Sequence, residues 1–67
     1  MYAVKHKETK KFFAGFKGMR ATWVADIKKA KAMTARDARG QALCFLAGGP
    51  DGKGSINVQQ KPVRIPA

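Results

Sequence analysis

The chain has little from which to build a catalytic or metal centre. It holds one cysteine, one histidine and four acidic side chains in 67 residues. A single cysteine, Cys44, excludes an internal disulfide framework and any cysteine-rich zinc site. It lies in the apolar run Ala42-Leu43-Cys44-Phe45-Leu46, where a buried or half-buried thiol is the ordinary expectation. A nucleophilic Cys–His pair would need His6 beside it, and nothing in the spacing brings the two together. Glu8, Asp26, Asp37 and Asp51 are scattered, so no paired carboxylates for acid–base work and no metal-ligand cluster are visible. The chain therefore reads as a non-enzyme with no cofactor, metal or small-molecule substrate. No apolar run approaches the roughly 20 residues of a membrane span, and none of signal-peptide length opens the chain, which points to a reducing cytoplasm.

Positive charge is what the chain does have. Fourteen Lys and Arg against four Asp and Glu give a formal charge of +10. Residues 1–31 carry net +7 and residues 32–67 net +3. The densest part is Lys5, Lys7, Lys10, Lys11, Lys17 and Arg20, opposed there only by Glu8. So strong a field on so small a surface steers the chain toward polyanions or acidic protein surfaces. The bland alternative is a solvated, solubilising face, but the charge exceeds what solubility calls for. Apolar residues make up 45% of the chain, too many for a disordered basic tail. One small domain of this length has a marginal core, which leaves a homodimer or folding onto a partner open.

Tyr2-Ala3-Val4-Lys5-His6 alternates with Tyr2, Val4 and His6 on one face, and Phe12, Ala14 and Phe16 share a face further on. The short polar stretch Lys7-Glu8-Thr9-Lys10 between them predicts an antiparallel hairpin over residues 2–17. Gly15 and Gly18 end or bulge its second strand. Residues 19–33 admit two parses. Trp23, Ile27 and Ala30 fall at helical spacing behind a Thr22 cap; alternatively a turn near Asp26 leads to a short strand at Ala30-Lys31-Ala32-Met33. In both, Trp23 and Ile27 are core residues. Thr34 with Asp37 resembles a capping box, and Ala35, Ala38, Ala42, Phe45 and Leu46 line one stripe of a helix over residues 35–47. A glycine-rich loop spans residues 48–54; it lacks the preceding strand and Gly-Lys-Ser/Thr ending of a phosphate-binding loop. Residues 55–65 predict a last strand carrying Ile56 and Val58, and a bulge at Lys61-Pro62 would return Val63 and Ile65 to the core face. The sum is an α+β fold, a small antiparallel sheet with one helix packed on it.

The succession Tyr2-Ala-Val-Lys, Thr9-Lys-Lys-Phe-Phe-Ala-Gly-Phe, Trp23-Val-Ala-Asp-Ile-Lys-Lys-Ala-Lys-Ala-Met-Thr and Asp37-Ala38 resembles small proteins encoded by bacteriophages and prophages. The resemblance runs over residues 2–46 in outline. It implies a hairpin, a short strand at residues 30–33 and a helix, in a phage context, and carries no functional residues with it. The heavy lysine content and the Gly-rich loop before a Pro-containing tail depart from that plan.

Two partner classes suit the basic surface. Lys5, Lys7, Lys10, Lys11, Lys17 and Arg20 on and around one hairpin suit nucleic-acid phosphates. Phe13 alternates onto the face opposite Phe12 and Phe16, beside Lys11, and is the first choice for an exposed stacking ring; otherwise it packs on lysine stems or under the segment that follows. Ten lysines to four arginines supply little bidentate base reading, so binding to DNA or RNA should rest on the backbone with little sequence preference. The other class is a phage inhibitor that docks on an acidic surface of a host protein, in the manner of anti-CRISPR proteins and inhibitors of host transcription. A membrane surface is disfavoured, because the helix carries only Arg36 and Arg39.

Overall fold

The first seven residues run through the middle of the structure and divide their backbone bonds between two neighbours. The even-numbered positions bond to one side. Tyr2 exchanges both bonds with Met33 (2.7 and 2.9 Å), Val4 O accepts from Phe13 N (2.9 Å), and His6 N donates to Lys11 O (2.8 Å). The odd-numbered positions bond to the other. Met1 O accepts from Ile65 N (2.8 Å), Lys5 O accepts from Gln59 N (2.9 Å), and Lys7 N donates to Asn57 O (2.9 Å). A central strand needs both edges satisfied, and this alternation satisfies them. The computed structural model describes residues 1–48 and 55–66. Most of the glycine-rich loop, residues 49–54, lies outside the described residues.

The regular elements are β1 (Tyr2–Ala3), β2 (Phe12–Lys17), β3 (Arg20–Val24), a 3-10 turn (Ile27–Lys29), α1 (Ala35–Leu46) and β4 (Val63–Arg64). They form two small antiparallel sheets, β1 with β4 and β2 with β3, and one helix. This is the expected α+β class. Isolated bridges Lys5–Phe12, Tyr2–Met33 and His6–Val58 link the pieces. Of the expected hairpin over residues 2–17 only the part next to the turn forms, as the Lys5–Phe12 bridge with Val4 bonded to Phe13 and His6 to Lys11, and the turn ends in Lys10, a non-glycine residue at φ 62°.

Residues 20–33 follow neither parse completely. The Thr22-capped helix is absent; Thr22 lies in β3 and its hydroxyl donates to Gly15 O at 2.8 Å. Gly18 (φ 64°) and Met19 form a two-residue turn between β2 and β3, with Lys17 paired to Arg20. A positive-φ glycine in the first turn position matches the twist of antiparallel strands, which is why the chain doubles back there. Asp26 then caps the 3-10 turn, its Oδ1 accepting from Lys28 N at 2.9 Å. The extended segment that follows does pair, through Lys31 N to Phe13 O (2.9 Å) and Met33 to Tyr2.

Two insertions reset which side chains face the core. Phe13 opposes Trp23 while Gly15 opposes Thr22, so Ala14 is an extra residue in β2. Gly15 at φ 112° permits the bulge. An odd insertion flips the alternation and puts Phe13 and Phe16 on the same side, their rings 5.0 Å apart. Phe13 is fully buried, whereas Phe12 is half-buried and Phe16 is 40% exposed. The expected exposed Phe13 is therefore corrected: it is the largest fully buried side chain. In the C-terminal segment His6 faces Val58 and Tyr2 faces Arg64, which leaves two extra residues near Gln60-Lys61. An even insertion preserves the phase, so Val63 stays opposite Ala3 and outside the core cluster, contrary to the expected single-residue bulge.

Thr34 caps α1, its hydroxyl accepting from Asp37 N at 3.2 Å. Ala38, Ala42 and Phe45 form the buried stripe and meet Val4, Phe13 and Val58. The small side chains of Ala38 and Ala42 let the helix lie close to the sheet, and Tyr2, Trp23, Met33, Leu46 and Ile56 close the margins. Ile27, expected in the core, is half-buried and outside that cluster.

Phe13→Ala should cost about 3–5 kcal/mol, as removing a buried aromatic does, and should unfold so small a domain. Phe12→Ala should cost far less; urea denaturation of the two variants checks the bulge, and equal losses would contradict it. Gly40, mid-helix, has nothing within 4 Å of where a Cβ would stand. Gly40→Ala should thus raise stability by about 1 kcal/mol, measured by the same denaturation, whereas a lower midpoint would mean the methyl is obstructed.

Candidate nucleic-acid interface

Thirteen of the fourteen basic residues are described, and all but Lys5 are exposed. Lys5 is half-buried, its Nζ 5.7 Å from the centre of the Phe12 ring. That cation–π contact holds it along the sheet and contributes about 0.5–1 kcal/mol. The side-chain hydrogen bonds engage other residues. His6 Nδ1 accepts from the backbone N–H of Glu8 (3.1 Å) and of Thr9 (3.4 Å), and Thr9 Oγ1 accepts from Lys11 N (3.3 Å). These bonds shape the turn that carries Lys7, Lys10 and Lys11. The His6 ring itself stands edge-on to Trp23 at 5.1 Å, which places it against the core margin.

The residues expected to form one basic patch divide into two. Lys7, Lys10 and Lys11 share the first turn, with Lys5 alongside. Lys17 and Arg20 face each other across the second turn, at the far end of β2. Lys17 is six residues on from Lys11, at most roughly 20 Å at about 3.3 Å per residue and less across the bulge. Phe13 cannot stack on a base, because helix α1 covers it. The exposed aromatic is Phe16, next to Lys17, with Met19 (69% exposed) at the tip.

A second basic feature lies on the helix. Among the described residues, Arg39, Leu43, Gln60 and Lys61 line a groove of about 420 Å³. Arg36 and Gly40 extend it along α1 into an adjoining hollow of about 490 Å³ that shares Arg39 and Leu43. Arg36, Arg39, Gly40 and Leu43 fall at i, i+3, i+4 and i+7, one face of the helix. That spacing was visible in the sequence. The approach of Lys61 was not, because it depends on the two-residue insertion before β4.

Among the described residues no three His, Cys, Asp or Glu side chains gather as metal ligands, and no helix is long and apolar enough to cross a membrane. Searches with protein-family models, among curated proteins and among solved structures each found no match.

Cys44 is exposed rather than buried or half-buried. It precedes Phe45 on the helix and so sits about 100° from it, off the buried stripe. The thiol should react with a disulfide reagent in the native chain nearly as fast as in denaturant. Strong protection in the native state would mean that this part of the helix is covered.

Proposed function

We propose that this chain is a small, non-enzymatic basic protein that binds nucleic acid through backbone phosphates with little sequence preference. The observation that carries the reading is the +10 charge together with the exposure of twelve of the thirteen described basic residues. Two cation clusters at opposite ends of β2, at most roughly 20 Å apart, can each meet a different phosphate group of one nucleic-acid backbone. Lysines predominate over arginines, and point charges favour backbone contact over base reading. Phe16, beside Lys17, is the ring available for stacking in place of Phe13. The resemblance to phage-encoded proteins supports an accessory role in the host cytoplasm.

Neutralising about four phosphates predicts a log–log salt slope near −3 to −4 on duplex DNA, since each contact releases roughly 0.9 of a counterion. Lys7→Gln, Lys10→Gln and Lys11→Gln together should flatten that slope by about 2 to 3 and weaken all sequences alike. The fold should survive, because exposed charges contribute little to stability. The check is a fluorescence-anisotropy titration across salt concentrations. No binding to DNA or RNA at about 50 mM salt, where phosphate contacts are strong, would overturn the reading. A stoichiometric, nuclease-resistant complex with an acidic host protein would then support the inhibitor class instead.

A further inference from the structure

We infer that the groove between α1 and the Gln60-Lys61 bend is a binding site for a single nucleotide unit of a single-stranded nucleic acid. This inference deepens the proposed function and rests on it. It assigns a residue set distinct from the two hairpin clusters.

The lining has the chemistry that a splayed nucleotide needs. Arg39 from the helix and Lys61 from the C-terminal segment both line the groove, and Arg36 lines the adjoining hollow. All three are exposed. Two cations lining one hollow favour an anion in it, and a guanidinium can hold a phosphate bidentately or stack its plane on a base. Leu43 is 48% exposed and shares its helix face with Arg36, Arg39 and Gly40. It supplies an apolar floor for one face of a base. Gln60 adds an amide that can both donate and accept toward a base edge.

Gly40 bears on the same point. A glycine mid-helix costs about 1 kcal/mol relative to alanine. Its backbone needs no positive φ here, and no neighbour would obstruct a Cβ. Neither local conformation nor internal packing accounts for it. What the missing side chain does is keep the hollow beside Arg36 and Leu43 open to close approach.

Shape and apolar area select the occupant. The groove, at about 420 Å³, lies in the roughly 300–1,000 Å³ range of small-ligand sites. A duplex presents a convex rim of phosphates and keeps its bases stacked inside, so it cannot place a base on Leu43. An unpaired strand can turn a base outward, as single-strand recognition generally requires. An acidic helix from a protein partner would need several apolar anchors at i, i+3, i+4 and i+7 spacing. Leu43 is the one exposed large apolar side chain along this lining.

The test uses the full chain and a fluorescent mixed-sequence oligonucleotide of roughly 12 nucleotides, within the site sizes of about 4–16 seen for single-strand binders. It is titrated as a single strand and as the matching duplex. Tighter binding to the single strand is expected. Arg39→Gln with Lys61→Gln should lower the single-strand salt slope by about 1.4, at roughly 0.7 per contact, and leave duplex binding nearly unchanged. Leu43→Ser should weaken the single strand without changing its slope, because it removes an apolar contact and no charge. Each variant is exposed, and unchanged thermal melts will exclude loss of fold. Single-strand binding unaffected by these variants, or a preference for duplex, would overturn the groove while leaving the proposed function standing. Binding to neither form would overturn both. Binding of an acidic peptide at the groove with no binding of the single strand would assign it to a protein partner and overturn the inference.

Discussion

The ring of Phe13 lies 5.0 Å from those of Phe16 and Phe45 and 5.8 Å from that of Trp23. One side chain thus joins both strands of the second hairpin to the helix. Phe45 in turn lies 5.5 Å from Trp23 and 6.1 Å from Phe16, so the four rings form a closed set in edge-on and tilted contacts. Such pairs add about 0.5–1.5 kcal/mol each beyond the area they bury. In a chain this short, where stability is a small difference between large terms, that set decides whether the sheet and helix stay together. The bulge at Ala14 exists to deliver Phe13 to it. Without the extra residue Phe13 and Phe16 would point to opposite faces.

The helix was legible because each of its signals is local. Thr34, Asp37, and the Ala38, Ala42 and Phe45 stripe lie within one short window, and the cap and the buried stripe formed as that window implied. The turn between Lys5 and Phe12 was legible for the same reason, although the strands beyond it pair elsewhere. The second hairpin was not, because Trp23, Ile27 and Ala30 happen to repeat at helical spacing while the turn that makes β3 is only Gly18-Met19. A glycine opening a two-residue turn between alternating runs was the available signal, outweighed by reading Gly18 as the end of a strand. The facing of Phe13 and of Val63 depends on how many residues are inserted in each strand. Insertion counts come from long-range pairing, which periodicity cannot see. The basic cluster separated for a related reason: residues close in sequence on an extended strand are far apart in space.

Charge and core act in opposite directions in this molecule. Ten net positive charges repel one another around a core of a few fully buried side chains, which favours the expanded chain. On the proposed reading, a polyanion relieves that repulsion and binds only the folded arrangement of cations. Binding and folding are then linked by mass action, and the folded fraction rises with ligand concentration. Among the described residues Lys5 is the one half-buried lysine, and it is the exception that fits: its charge lies over an aromatic face.

The central position of residues 1–7 has a consequence for how the protein is made. Residues 1–7 take their two partners from residues 11–33 on one edge and residues 57–65 on the other. During translation the first edge can close early, by short-range pairing. The second stays open until residues 57–65 have emerged, since they supply it. An open strand edge is a template for pairing with another chain. A nascent chain that has made residues 1–33 but not yet residues 57–65 therefore carries an edge open to mispairing, and the arrival of residues 57–65 closes it.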